Sequence, residues 1–161
     1  MPDPATVRVA RVEDRAAVLE LLAAQMAEHA IPLEAHRLAR AVDGAFADLG
    51  APAPRALILV AERAGVAAER ASEVLGVAYV AFTWTIEHGG KTSWLEELYV
   101  RPSERVGGLG TALLRAACDA ARAHGAAAVD LEVEADHARV EGLYLREGFQ
   151  RRTRSRWVRF L

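Results

Sequence analysis

The spacing of hydrophobic residues along the chain changes several times, and each change marks a structural element. Val7 and Val9 alternate with Thr6, Arg8 and Ala10, which predicts a short first strand over Thr6 to Ala10. After Glu13-Asp14 the period lengthens. Val18, Leu21, Leu22 and Met26 then share one helical face in a run to His29, which Ile31-Pro32 breaks. A second helix is predicted over Leu33 to Asp48, ending near Gly50, and Pro52 and Pro54 mark a turn. Ala56 to Ala61 is continuously apolar, as in a strand buried on both faces. Gly65 to Glu73 is polar and alanine-rich and reads as a loop, although its alanines could support a helical turn.

Val74 to Trp84 and Trp94 to Val100 read as strands around a Glu87-His88-Gly89-Gly90 turn. Gly108 to His124 is helical, with Leu109, Leu113, Leu114, Ala117 and Ala121 inward and Gly125 as its cap. Ala127 to Val133 follows as a strand, His137 to Arg146 as a helix and Phe149 to Phe160 as a final strand. The order is strand, two helices, three strands, helix, strand, helix, strand. It predicts a mixed α/β domain over residues 1–161, with a meander in the middle and crossover units after it.

Composition narrows the function. Hydrophobic residues make up 52% and charged residues 26%, as in soluble globular chains. The net charge of −2 gives no electrostatic reason to expect a nucleic-acid partner. Cys118 is the one cysteine, so no internal disulfide can form. Met1-Pro2-Asp3-Pro4 does not open a signal peptide, and no apolar run is long enough to span a bilayer. A cytoplasmic protein without a membrane partner is therefore expected. His29, His36, His88 and His124 lack metal-ligand spacing, so no metal is expected.

The candidate chemistry begins at Arg105-Val106-Gly107-Gly108-Leu109-Gly110-Thr111. This stretch joins a strand to a helix. Glycines allow close backbone approach, and the first N–H groups of the helix have no internal acceptor, so the junction suits a phosphate. A P-loop needs lysine where Thr111 follows Gly110, and a dinucleotide fingerprint needs a third glycine where Leu113 stands.

The segment Leu98-Tyr99-Val100-Arg101-Pro102, then Arg105-x-x-Gly108-x-Gly110 and Ala112-Leu113-Leu114, resembles the acetyl-CoA loop of the GNAT superfamily of N-acetyltransferases. Downstream, Tyr144 with Gly148-Phe149 is similar to that family's Tyr-x-x-x-Gly-Phe signature. The resemblance is sharp from about Val74 to Phe149. It implies a mostly antiparallel sheet of about six to seven strands with about four helices and one splayed pair of central strands. It also implies acetyl transfer from acetyl-CoA, without a metal, to a primary amine of a small molecule or peptide. The nearest motif likeness is to polyamine-type enzymes. Arg105, Val106, Gly107, Gly108, Leu109, Gly110 and Thr111 are expected to hold the pyrophosphate by main-chain N–H groups, and Leu98, Tyr99 and Val100 to pair with the pantetheine arm. Many relatives have glycine where Val106 stands, and a valine takes positive φ only at a cost.

An alkylammonium must lose a proton before it attacks, so a base is needed. Glu96 and Glu97 precede the loop; adjacent strand residues face opposite sides, and the resemblance puts Glu96 ahead. Tyr144 matches the family's general acid, and His137 stands where relatives often have a cofactor-binding asparagine, beside Asp136 as an alternative helix cap. Glu28, His29, Ile31, Phe82, Trp84 and His88 are candidate substrate walls, Phe82 and Trp84 on one strand face. Cys118 reads as packing. Arg152, Arg154 and Arg156 read as a solvated strand face, with Trp157 inward. Two rivals share the loop: a non-catalytic acyl-CoA sensor, and a transferase for succinyl- or propionyl-CoA. Homodimers are common among the relatives, so a second copy is a candidate partner.

Overall fold

The computed structural model describes residues 5–64, 72–134 and 138–161. Its sheet has the order β1-β2-β3-β4-β5, formed by Thr6–Val9, Ala56–Arg63, Glu73–Thr85, Gly90–Val100 and Val129–Leu131. The first four strands are antiparallel neighbours, and β5 joins β4 in parallel. The helices are α1 (Arg15–Glu28), α2 (Ala35–Phe46), α3 (Leu109–Ala123) and α4 (Ala138–Arg146), with short 3₁₀ turns at Val12–Asp14 and Pro102–Glu104.

Two apolar layers sandwich the sheet. On one face Val18, Leu21 and Leu22 of α1 and Val42 of α2 cover Ile58, Val60, Val77 and Tyr99. On the other, Leu113, Leu114 and Ala117 of α3 cover Leu59, Ala78, Val80 and Leu95. The helical faces expected from spacing are thus the buried ones, apart from Leu109, which is only partly buried. Gly76 allows the tight contact of α3 with β3 and β4. A Cβ there would stand 2.9 Å from both Leu113 Cδ1 and the Tyr99 carbonyl oxygen.

The start of α1 is fixed by charge. Asp14 is buried and accepts the Arg11 N–H at 2.6 Å, while Arg8 forks to Asp14 and to Glu62 of β2. Arg8 holds the Asp14 carboxyl below its usual range.

The sheet has five strands, fewer than the resemblance implied. The difference lies at the C-terminus, where residues 149–161 are irregular, not a strand over Phe149 to Phe160. The three-residue edge of β5 offers little to pair with. The arginines of the tail go instead to carboxylates: Arg154 to Glu87 at 2.5 Å, and Arg156 to Glu132 at 2.8 Å. Trp157 is 91% exposed, not inward. Asp136, His137 and most of the loop from Gly65 lie outside the described residues.

Candidate active site

Strand β4 carries a discontinuity at the acidic pair. Tyr79 of β3 is opposite Glu97, but Val80 is opposite Leu95, so Glu96 is an extra residue without a partner. Such a bulge shifts the alternation of side chains. Leu95 packs on the α3 face before it; Leu98 and Val100 pack on that same face after it. Glu97 therefore shares the side of Tyr99, toward α1. Simple alternation across Glu96-Glu97 does not apply.

The environments of the two carboxylates differ. Glu96 is exposed and Glu97 half-buried. Burial, then repulsion from Glu96 and Glu134, pushes the Glu97 carboxyl up to about 7. Glu134 follows β5 and reaches His29 across the cleft, with Nδ1 to Oε2 at 3.8 Å. Sequence reasoning missed Glu134, which lies in no motif.

Next to these residues the sheet opens. Strand β5 pairs with β4 only at Ser93, Trp94 and Leu95, opposite Val129, Asp130 and Leu131. From Glu96 to Val100 the β5-facing edge of β4 has no strand partner among the described residues. This is the splay that the resemblance implied.

The loop after β4 ends in a row of uncommitted amides. Arg105 N–H reaches Pro102 O at 3.4 Å, and the first helical bond runs from Ala112 N–H to Gly108 O at 3.0 Å. Among the described residues, no acceptor takes the N–H groups of Val106, Gly107, Gly108, Leu109, Gly110 or Thr111. Gly108 caps α3 at φ 83°, and Val106 also lies in the left-handed region, at φ 81°. Its side chain is fully exposed. The Arg105 side chain turns away from this row: Nε donates to Val100 O, and both terminal nitrogens fork to Glu28.

Tyr144 is half-buried on α4 and meets Phe149 edge to face at 5.7 Å. Burial raises its phenol above the ordinary range, so it stays protonated near neutrality. Tyr144, Glu134, Trp94 and Leu131 line one cavity of about 710 Å³ between β5, α4 and the C-terminal tail. Glu96 and Glu97 are not among its lining residues.

These features match a known family. The sequence profile of the Acetyltransferase (GNAT) family matches residues 20–149. The chain belongs to the GNAT acetyltransferase family. Members use acetyl-CoA, and the uncommitted amides and the splay are a fitting frame for its pyrophosphate and pantetheine arm. Two Pseudomonas relatives, from P. aeruginosa and P. paraeruginosa, are named L-methionine sulfoximine/L-methionine sulfone acetyltransferases. Each is 36% identical over 92 residues, covering 53% of this chain and 49% of the relative. The chain thus matches about half the length of these relatives. An integron cassette protein from the mobile metagenome of Cole Harbour Salt Marsh superposes with TM-score 0.76 at 25% identity, over 96% of this chain and 90% of its own. A Trypanosoma brucei acetyltransferase gives 0.69 at 25%, over 98% and 100%. A Clostridium acetobutylicum protein described as a predicted acetyltransferase, solved with acetyl-CoA, shares the fold at TM-score 0.73 and 16% identity, over 98% and 96%.

Of the remaining candidates of this GNAT chain, His88 lines the same cavity as Tyr144, and the others are dispersed. Phe82 packs on the α3 face, its ring 5.5 Å from that of His124, and Trp84 is 79% exposed near the hairpin tip. Neither is brought to Glu97, which faces the other side of the sheet. His88 pairs with Asp130 at 2.9 Å, tying the β3–β4 turn to β5. Ile31 lines a separate hollow of about 500 Å³ between α1 and α2. Of the proposed walls, His29 reaches Glu134, and Glu28 holds Arg105 of the loop. Burial raises the Cys118 thiol, consistent with packing. No cluster of metal-ligating side chains occurs among the described residues.

Proposed function

We propose that this enzyme transfers an acetyl group from acetyl-CoA to the primary amine of a small molecule or peptide by direct attack in a ternary complex. Glu97 is the general base and Tyr144 the general acid. The observation that carries the proposal is the place of Glu97, half-buried on β4 beside the opening that β5 leaves, where burial and the charges of Glu96 and Glu134 push its carboxyl up to about 7. A base works best when its pKa lies near the working pH. Glu97 takes a proton from the bound ammonium, Tyr144 donates its phenolic proton to the departing sulfur as the C–S bond breaks, and the proton that the nitrogen sheds on becoming an amide restores the phenol. Acetyl-CoA supplies the thioester carbonyl that is attacked and the thiolate that leaves. The amides of Val106 to Thr111 bind the pyrophosphate, and the free edge from Leu98 to Val100 receives the pantetheine amides.

The base differs from the one favoured by motif likeness. Glu96 is exposed on the bulge, and in this proposal it raises the basicity of its neighbour and attracts the cationic acceptor. The methionine sulfoximine relatives support an acceptor of small size. The test is CoA release over a panel of polyamines, amino acids including methionine sulfoximine, aminoglycosides and peptides. Amine-dependent release is expected. If acetyl-CoA raises the melting temperature but no amine releases CoA, the protein is a sensor. Faster release from succinyl- or propionyl-CoA would reassign the donor.

A further inference from the structure

We propose that Glu28 and Arg105 form a positioning clamp that holds the pyrophosphate loop in its binding shape, and that the Arg105 side chain serves the cofactor through this clamp without touching phosphate. The inference rests on assigning residues 105–111 to the pyrophosphate.

All three guanidinium nitrogens of Arg105 are engaged. Nε donates to Val100 O at 3.0 Å, Nη1 to Glu28 Oε1 at 2.9 Å and Nη2 to Glu28 Oε2 at 2.7 Å. The guanidinium also lies over the Tyr99 ring, 5.2 Å from its centroid. These bonds take one donor on each nitrogen and commit to Glu28 the fork with which an arginine would otherwise grip a phosphate. It also draws the side chain to the sheet face of Tyr99 and α1, while the loop's free amides gather at the start of α3.

The clamp fixes the residue that the loop strains. Val106 follows Arg105 directly and holds φ 81°, a region a β-branched residue enters only at a cost. Such strain persists where the surroundings over-determine it. On one side α3 fixes the chain, and on the other the Arg105 fork does. Arg101 makes a second tie to the same helix, through Glu20 at 2.9 Å. The side chains of Glu28 and Arg105 are each 40% exposed, and so open a pair adds little to global stability. Its effect is therefore local, on the shape of the loop. Because Glu28 ends α1 and His29 follows it toward Glu134, the clamp also ties the loop to the helix end that reaches the segment after β5.

Acetyl-CoA binding by calorimetry, steady-state kinetics and melting of the full chain test this. Glu28→Gln and Arg105→Gln are each expected to raise Kd and KM for acetyl-CoA about tenfold, with kcat and the melting temperature little changed. The double variant should be no worse than either single one. KM for acetylpantetheine, a donor without the pyrophosphate, should stay unchanged. Adding Val106→Gly to Arg105→Gln should restore most of the lost affinity, because glycine adopts the left-handed conformation unaided. The clamp is overturned if Glu28→Gln tightens acetyl-CoA, since a freed Arg105 would then be binding phosphate itself. It is equally overturned if Val106→Gly rescues nothing, or if both single variants bind like wild type. A wild-type protein that binds neither acetyl-CoA nor CoA would instead remove the loop assignment on which the clamp rests.

Discussion

Glu97→Gln is the substitution that bears most directly on the chemistry. Glutamine keeps the size of the side chain and removes its ability to take a proton. With the carboxyl at about 7, wild-type kcat/KM should rise through an acid limb centred there, falling to about a tenth of its plateau one pH unit below. Glu97→Gln should lose this limb and about 10²–10⁴ of the rate. Glu96→Gln should retain turnover and move the limb downward, because one repelling charge is gone. The limb should still stay above the ordinary carboxylate range, since burial is the larger cause.

Stability gives an independent reading of the same group. A raised carboxyl favours folding in its neutral form. That stabilisation is complete below the ordinary value of 4.5 and is lost as pH rises through about 7. At full burial the difference corresponds to ~3 kcal/mol, which partial exposure reduces to ~1–2 kcal/mol. Glu97→Gln should therefore melt higher than wild type at pH 8 and match it at pH 4. Stopped assays of CoA release from pH 5 to 9, paired with thermal melts, measure both effects. The reasoning fails if Glu97→Gln keeps the limb, or if the limb follows the pKa of each new acceptor amine.

Four further changes probe the frame. Tyr144→Phe should lower kcat by about 10² while acetyl-CoA still raises the melting temperature, as titration with acetyl-CoA will show. Val106→Gly relieves ~1–2 kcal/mol of left-handed strain and returns ~0.5–1 kcal/mol to the unfolded chain, so the melting temperature should rise by about 2 °C. Gly76→Ala must displace the Tyr99 carbonyl; chemical denaturation should show a loss of ~1–3 kcal/mol, and KM for acetyl-CoA should rise. Asp14→Ala leaves Arg8 under-paired and the Arg11 N–H without its acceptor, for a loss of about 3 kcal/mol in the same assay. Because the Asp14 carboxyl is depressed, the stability it confers is present above about 3.8 and is lost as pH falls through its lower folded value.

Local signals carried most of the fold. The apolar spacing of α1 and α3 named their buried faces, since one helical stripe must meet the sheet. The run from Ala56 read as a buried strand because both of its faces are covered. The tail misled. Its alternating arginines look like one strand face, but a strand also needs an edge to join, and that need is not written within the segment. The acidic pair misled in another way. Nothing in Ser93-Trp94-Leu95-Glu96-Glu97 announces a bulge, so alternation assigned the carboxylates to opposite sides. The proximity of Glu134 to Glu97 depends on where β5 ends, which no local pattern encodes. The strain at Val106, by contrast, was legible as a valine in a glycine's place.

The bulge at Glu96 works as a one-residue change of phase. Without it, β4 could not give Leu95, Leu98 and Val100 to α3 while turning Glu97 the other way. Were Glu96 kept and the strand made regular, Glu97 would face the apolar layer under α3, and Leu98 would take its place toward α1. Deleting Glu96, by contrast, would leave a regular ladder in which Glu97 still turns toward α1 and Leu98 toward α3. The bulge thus absorbs one inserted residue without disturbing the facing of the strand on either side of it, and what a deletion of Glu96 would remove is the second charge.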